Sequence, residues 1–185
     1  MKKRISVDID GILTDYPMCW INYVNLELNT RFESREEIKK EIGDGKYKFL
    51  KKKYRKSDYK ANLPVNQEFK SLLKEFKKNN YEIIIFSSRP FNDKQYSELY
   101  SMTENWLIKN HIPFDFLFYK AYNQDVLKNI PKMLYHIEDE IKYAELIANK
   151  GVQVFLYSSQ NGNEKYLPKI NNIVLFDSIE KILLK

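Results

Sequence analysis

The sequence predicts an α/β fold, a Rossmann-like parallel sheet flanked by helices, with a small helical cap inserted after the first strand. Short apolar runs rich in β-branched residues recur along the chain. They do not alternate between apolar and polar positions, which is typical of strands buried on both faces. Between them lie segments with apolar residues three and four apart, the spacing of one helix face. Strands that alternate with helices favour a parallel sheet with right-handed crossovers.

Six apolar runs have the length expected of buried strands. They cover residues 5–9, 81–86, 114–119, 133–137, 152–157 and 173–176. Helical spacing is clear in the segments that begin at Phe69, Gln95 and Ile141, and Gly151 is placed to end the last of these helices. Each of these helices therefore lies between two predicted strands.

Residues 15–65 interrupt this alternation, because they carry helical patterns and no convincing strand. We interpret them as a small helical cap inserted into a Rossmann-like core of residues 1–14 and 66–185. Tyr16, Trp20 and Tyr23 in this segment could stack on a substrate base, but their helical spacing is more typical of a buried core.

The positive charge of the chain is concentrated in one segment. The sequence has 31 basic and 25 acidic side chains, a net charge of +6, and a dense basic cluster between residues 46 and 60. The cluster consists of Lys46, Lys48, Lys51, Lys52, Lys53, Arg55, Lys56 and Lys60. Such a run is typical of a solvated helix face, with a nucleic-acid-binding surface as the alternative. Since no nucleic-acid recognition motif accompanies it, we do not expect a nucleic-acid partner.

Cysteine content and the N-terminal residues bear on the location of the protein. Cys19 is the single cysteine, so no disulfide can form within the chain. The apolar run after the basic N-terminal residues stops at Asp8, which makes it too short for a signal peptide or a membrane span. We therefore expect a cytoplasmic protein without a membrane partner.

Acidic residues follow two of the predicted strands. Asp8 and Asp10 end the first run, and their spacing of two directs both side chains to the same side. Two close carboxylates repel unless a cation or a proton lies between them, and Mg²⁺ favours carboxylate oxygen. Glu138 and Asp139 form a second acidic pair. The alternatives are an Asp-Gly turn for the first pair and capping of the following helix for the second.

Ser87, Ser88 and Arg89 follow the second predicted strand. A hydroxyl and a guanidinium in this position can hold a phosphoryl oxygen, although serine and proline after a strand also commonly form a simple turn. Because the carboxyl ends of parallel strands meet at one edge of a sheet, we expect these residues to lie near the acidic pairs.

Taken in order, the segments Asp8-Ile9-Asp10-Gly11, Ser87-Ser88-Arg89-Pro90 and Glu138-Asp139 resemble the motifs of the haloacid dehalogenase superfamily. The resemblance extends over residues 5–157. Within the superfamily the chain looks most like the small 5′(3′)-deoxyribonucleotidase-like phosphatases, which also have a short helical cap after the first motif. The resemblance implies a Mg²⁺-dependent phosphomonoesterase that acts on a small phosphorylated metabolite, with a nucleotide as one candidate. A sugar-phosphate phosphatase and a non-catalytic binding protein of this fold are the alternatives.

The resemblance also implies roles for the motif residues. Asp8 is expected to attack phosphorus and form an aspartyl-phosphate, and Asp10 to act as the acid and base. Ser87 matches the hydroxyl that binds the phosphoryl group, with Ser88 and Arg89 beside it. Mg²⁺ is expected on Asp8, the backbone carbonyl of Asp10, Glu138 and Asp139.

The chain departs from the superfamily pattern at two positions. Relatives place a lysine after the third strand to neutralise the phosphoryl charge, whereas the matching position here holds Asn123. Lys120 is therefore the candidate for this catalytic role, with Lys128 second. Ile12 also stands where many relatives have threonine.

Overall fold

A computed structural model of the chain describes residues 3–91, 93–119, 132–158, 163–165 and 170–183. The sheet contains six strands, all paired in parallel, in the order β3-β2-β1-β4-β5-β6. The strands are β1 Arg4–Val7, β2 Glu82–Ser87, β3 Phe116–Tyr119, β4 Tyr135–Glu138, β5 Gln153–Tyr157 and β6 Ile173–Phe176. Each predicted run overlaps one of these strands, so the predicted fold class is confirmed.

Seven α-helices are found in the described part of the chain. They are α1 Met18–Leu28, α2 Arg35–Arg55, α3 Asp58–Ala61, α4 Gln67–Lys78, α5 Leu99–Lys109, α6 Ile141–Ala148 and α7 Glu180–Leu183. Helix α5 begins four residues later than Gln95, because a separate short 3₁₀ turn, Lys94–Tyr96, precedes it. Gly151 follows α6 with a φ of 82°, a conformation that favours glycine.

The two faces of the sheet are covered by different helices. Ile83 and Ile85 of β2 contact one apolar cluster, which includes Phe69 from α4 and Trp106 from α5. Ile84, next to them in the strand, points to the opposite face and belongs to a cluster that includes side chains of α6. This burial on both sides explains why the strand sequences are continuously apolar.

Helices α1 to α3 occupy the interval between β1 and α4, and they enclose a third apolar cluster. Trp20 and Tyr23 are buried in it, as their helical spacing indicates, and Cys19 is buried beside them. We call residues 15–65 the helical segment. The indole nitrogen of Trp106 donates a hydrogen bond of 2.8 Å to the Leu63 carbonyl, which ties the segment to α5.

The chain order of the strands determines where a site can form. From β1 the chain continues through β2 and β3 on one side of the sheet, and then crosses to β4, β5 and β6 on the other. The strand order therefore reverses between β1 and β4, and ligands of open α/β sheets bind at the carboxyl ends of such neighbours. Within the described residues, no helix is both long enough and apolar enough to span a bilayer.

Candidate active site

A tight turn after β1 carries the first acidic pair. The Asp8 amide donates to the Ile137 carbonyl at 3.0 Å, which continues the pairing of β1 with β4. The chain then reverses at Gly11, and the amides of Leu13 and Thr14 both donate to the Ile9 carbonyl, at 2.8 and 3.0 Å. This turn places Asp8 and Asp10 together at the carboxyl edge of the sheet.

Three buried carboxylates converge at this edge. Asp8, Glu138 and Asp139 each offer an oxygen, and these oxygens all lie within 4.8 Å of one another. Buried like charges at this spacing repel strongly unless a cation or proton compensates them. An all-oxygen donor set of this kind fits a hard divalent cation such as Mg²⁺. The carboxylate of Asp10 lies outside this group, and its predicted contact with the metal was through the backbone carbonyl.

Gly11 allows the two acidic pairs to approach each other. A Cβ atom at this position would lie 2.1 Å from Oδ2 of Asp139, and the backbone φ is +95°. Any side chain here would displace the Asp139 carboxylate, and an L-residue would also be strained in this conformation. The absence of a side chain at Gly11 is therefore part of the geometry of the carboxylate group.

A chain of buried polar contacts positions Glu138. Its Oε1 accepts backbone hydrogen bonds from Asp139 and Glu140 at 3.1 and 3.2 Å, and Oε2 lies 3.0 Å from Nε2 of His136. The other ring nitrogen of His136 lies 2.7 Å from the Ser6 hydroxyl. The buried His136 thus contacts two side chains, the Ser6 hydroxyl and the Glu138 carboxylate. Such contacts fix the orientation of a carboxylate that is available to a metal.

Two cations hold the carboxylate of Asp10. Arg89 donates to both oxygens, at 2.8 and 3.2 Å, and the Lys60 ammonium donates to Oδ1 at 2.7 Å. Burial alone would raise the pKa of Asp10, but the charges of Arg89 and Lys60 outweigh it and hold the pKa well below its ordinary range. Asp10 is therefore a carboxylate, not a carboxylic acid, in this arrangement.

Further hydrogen bonds hold the guanidinium and the backbone of Arg89 in place. Its Nη1 donates to the Thr103 hydroxyl at 3.0 Å, and that hydroxyl donates to the Leu99 carbonyl at 2.7 Å. Its backbone amide donates to the Ser87 hydroxyl at 3.2 Å. Both Ser87 and Arg89 are buried, and Ser88 lines the cavity beside Asp10. The predicted substrate-binding residues thus lie at the same edge as the acidic pairs.

Lys60 lies beside Asp10, a position that was not predicted from the sequence. The basic cluster was interpreted as a solvated helix face, and this is wrong for Lys60, whose side chain is only 3% exposed. Five of the other lysines are exposed as expected: Lys46, Lys48, Lys52, Lys53 and Lys56. Burial and the charge of Arg89 lower the pKa of Lys60, while the charge of Asp10 opposes them. A four-residue helix such as α3 has no apolar period from which this inward direction could be predicted.

Lys51 also turns inward. Its ammonium donates to the Tyr16 hydroxyl at 3.0 Å and lies 4.4 Å from the ring centre of Trp20. A signal was present in the sequence, because Tyr47, Lys51 and Tyr54 are spaced four and three apart and share one helix face.

A cavity of about 120 Å³ opens beside Asp10. Its walls include Lys51, Lys60, Arg89 and Ser88. A larger cavity of about 680 Å³ lies between the helical segment and α5, and none of the predicted site residues that the structure describes lines it. The smaller cavity is therefore the one that belongs to the site. The lysine candidates Lys120 and Lys128, together with Asn123, lie outside the described residues.

Comparison with known proteins supports the fold. No protein-family model matches the sequence, and no curated protein matches it. A haloacid dehalogenase-like hydrolase from Streptococcus pneumoniae is 17% identical, with a TM-score of 0.65 over 99% of this chain and 98% of that chain. CbbY from Rhodobacter sphaeroides, solved with phosphate, is 14% identical, with a TM-score of 0.58 over 98% of this chain and 96% of that one.

A third solved structure contains both a metal and an anion. The D,D-heptose 1,7-bisphosphate phosphatase from B. bronchiseptica, complexed with magnesium and phosphate, is 10% identical, with a TM-score of 0.57 over 98% of both chains. The chain described here therefore has the α/β fold of haloacid dehalogenase-like hydrolases. It combines this fold with a buried group of three carboxylates at the carboxyl edge of the sheet.

We predict that Gly11→Ala destabilises the protein and weakens its response to Mg²⁺. The positive φ alone should cost about 1–2 kcal/mol, and the new methyl group would in addition displace the Asp139 carboxylate. Thermal unfolding with and without Mg²⁺ measures both effects. Gly45→Ala is the control, because a Cβ at Gly45 meets no atom within 4 Å. An equal Mg²⁺-dependent increase in melting temperature in the Gly11 variant and the wild type would contradict the prediction.

Proposed function

We propose that this protein is a Mg²⁺-dependent phosphomonoesterase that acts on a small phosphorylated metabolite through an aspartyl-phosphate on Asp8. The observation that carries the proposal is the buried group of Asp8, Glu138 and Asp139 at the carboxyl edge of the sheet. The two cations on Asp10 support it, because a phosphoryl dianion needs positive charge close to the nucleophile. The similar folds solved with phosphate add further support.

The three carboxylates would hold the metal ion. Their oxygens are close enough to share one cation, and Gly11 leaves room for the approach of Asp139. When bound, Mg²⁺ supplies neutralisation of the phosphoryl oxygens and of the nucleophile. His136 and the two backbone amides keep Glu138 in place whether or not an ion is bound.

The protein residues account for the proposed chemistry. A carboxylate oxygen of Asp8 forms a bond to phosphorus while the bond from phosphorus to the leaving oxygen breaks, which produces the aspartyl-phosphate. Water then attacks this intermediate and releases phosphate. Asp10, ionised by its two cations, is in the form of a general base that can take the proton from this water.

Lys60 and Arg89 are placed to serve the phosphoryl group. Both side chains are buried and bind the Asp10 carboxylate. Their N–H donors can turn from Asp10 to a phosphoryl oxygen when substrate enters. Such an exchange would leave Asp10 with less compensating charge, so that it could accept a proton and donate it to the leaving oxygen. We therefore propose Lys60 as a neutralising cation from the helical segment, in addition to the predicted Lys120.

The size of the cavity favours a compact substrate. A volume of about 120 Å³ beside Asp10 holds a phosphoryl group and a small organic part, but it is well below the ~300 Å³ of the smallest common ligand pockets. Trp20 and Tyr23 are buried, which removes two of the rings considered for stacking on a nucleotide base. We therefore favour a phosphorylated sugar or a similarly small metabolite over a nucleotide, with residues 15–65 as the cap that selects it.

We expect phosphate release from an aryl phosphate to require Mg²⁺ and to stop in EDTA, because the carboxylates repel the substrate without a cation. A panel of sugar phosphates and nucleoside monophosphates, assayed for inorganic phosphate, ranks the substrate classes. Full turnover in EDTA would disprove the metal requirement. Consistent absence of hydrolysis would favour the non-catalytic binding protein.

Asp8→Asn should abolish turnover without unfolding the protein, because the amide is nearly isosteric but is not a nucleophile. Relief of repulsion among the three carboxylates should leave the thermal stability unchanged or raised when metal is absent. Phosphate release and thermal unfolding are measured on the same preparations. The matched control is Asp58→Asn, an exposed aspartate on α3 outside the site. Wild-type turnover in Asp8→Asn would place the nucleophile elsewhere.

Lys60→Met should lower kcat/KM for an aryl phosphate by about 100-fold or more, the typical cost of one lost charge-stabilising group. The control is Lys56→Met, because Lys56 is an exposed lysine four residues earlier. Lys120→Ala is assayed in parallel. If Lys120→Ala reduces turnover and Lys60→Met does not, the neutralising cation comes from the segment after β3. Normal cooperative unfolding of each variant shows that the loss reflects chemistry.

A further inference from the structure

Lys51 has an environment that the proposed chemistry does not use. Its ammonium donates to the Tyr16 hydroxyl at 3.0 Å and lies 4.5, 4.4 and 5.4 Å from the ring centres of Tyr16, Trp20 and Tyr54. Among the described residues, no carboxylate forms an ion pair with it. Lys51 is half-buried. A charge that is partly withdrawn from water without a carboxylate partner is costly.

The cavity that Lys51 lines has an excess of positive charge. Four cationic side chains line it, namely Arg55, Lys51, Lys60 and Arg89, against the carboxylates of Asp10 and Glu140. Asp10 is already engaged by Lys60 and Arg89, and Glu140 pairs with Lys142 at 3.1 Å. Lys51 and Arg55 are therefore the cations of this wall that the described carboxylates leave uncompensated.

The electrostatic consequence is a site that favours an anion. Burial and the charges of Lys60 and Arg55 hold the pKa of Lys51 well below its ordinary range, with Asp10 acting in the opposite direction. A bound anion beside the ammonium would offset the repulsion of Lys51 by Lys60 and Arg55. Arg55 lines both this cavity and the larger one, and its Nη1 donates to the hydroxyl of Tyr96, which lines the larger cavity, at 3.3 Å.

The position of Lys51 distinguishes this anion from the reacting phosphoryl group. Lys60 donates directly to Asp10, whereas the contacts of Lys51 are with the aromatic group. The two ammonium groups contact the same Tyr54 ring, at 5.1 Å for Lys60 and 5.4 Å for Lys51. Lys51 therefore shares a cavity wall with Lys60 without contacting Asp10, which puts it within reach of another part of a small substrate bound there.

We propose that Lys51, with Arg55, forms a second anion subsite, and that the substrate is a small phosphate ester with a second anionic group, either phosphate or carboxylate. The inference rests on the proposed phosphomonoesterase function and specifies its substrate class. Tyr16, Trp20 and Tyr54 hold the ammonium in place, while Lys60 and Arg89 serve the ester that is cleaved. A phosphate ester without a second anionic group would leave the Lys51 charge uncompensated, so the subsite selects against it.

The test compares substrates that differ only in the second anion. Bisphosphates of unbranched diols, of increasing chain length, are paired with the matching hydroxyalkyl monophosphates, and carboxyalkyl phosphates form a third series. At the best length we expect the wild type to prefer an ester with a second anionic group by about 10- to 100-fold in kcat/KM, the range for one hydrogen bond to a charged group. The series that shows the preference identifies the second anion as phosphate or carboxylate. Equal kcat/KM values in all pairs would overturn the subsite.

Variants at Lys51 link this preference to the side chain. Lys51→Met should abolish the preference, and Lys51→Arg should retain most of it. Lys52→Met is the matched control, since Lys52 is an exposed neighbour on the same helix and its loss should leave the preference unchanged. Thermal unfolding verifies that each variant folds. A preference that survives Lys51→Met would overturn the assignment, and the wild-type comparison tests the subsite even if this variant does not fold.

Direct binding separates this inference from the proposed function. In the Asp8→Asn background with Mg²⁺, calorimetry should show that the best bisphosphate binds more tightly than its monophosphate partner, and that Lys51→Met removes the difference. If no ester is hydrolysed but this difference is found, the phosphatase function fails and the anion subsite stands. If esters are hydrolysed without any such difference, the function stands and the subsite fails.

Discussion

The arrangement at the sheet edge depends on one partly buried carboxylate, that of Asp10, and on the two buried cations that bind it. Asp10 follows β1, Arg89 follows β2 and Lys60 belongs to α3, so this contact joins two strands and the helical segment. Burying charges is costly, and the cost is offset only when the hydrogen bonds are well formed. Here Arg89 binds both oxygens and Lys60 one, which meets that condition. Removal of Asp10 would leave the buried charges of Lys60 and Arg89 without their carboxylate, whereas removal of either cation would leave Asp10 paired with the other.

The strands of the sheet carry the acidic half of the site, and the helical segment carries the cations Lys51 and Lys60. Asp8 and Glu138 are fixed by adjacent parallel strands, and the backbone hydrogen bond from Asp8 to Ile137 holds them in register. The cations Lys51 and Lys60 depend on how α2 and α3 pack above that edge. Strands place side chains with little freedom, whereas packed helices can shift by small displacements. The acidic half of the site is thus the more constrained of the two.

This division explains what the sequence could predict. The six strands are evident because each is short, apolar and buried on both faces, and the acidic residues are evident because they directly follow those strands. Lys60 was not predictable, since its inward direction results from contact with Asp10, fifty positions away in the chain. Lys51 was partly predictable, because Tyr47 and Tyr54 mark the same helix face. The contact between His136 and Ser6 could not be predicted, because the two residues meet only through the pairing of β1 with β4.

The position of the cations has a consequence for selectivity. Lys60 contacts Asp10 from the same segment that carries Lys51 and Arg55, so in the proposed function recognition of the substrate and neutralisation of its charge would come from one packed unit. An anion that enters the cavity would satisfy cations that otherwise repel one another, and it would hold the segment against the sheet more firmly. The substrate would thereby complete the charge balance of the site that binds it. Binding energy from the non-reacting anion would then contribute to positioning at Asp8, which is how remote contacts raise the rate of a chemical step.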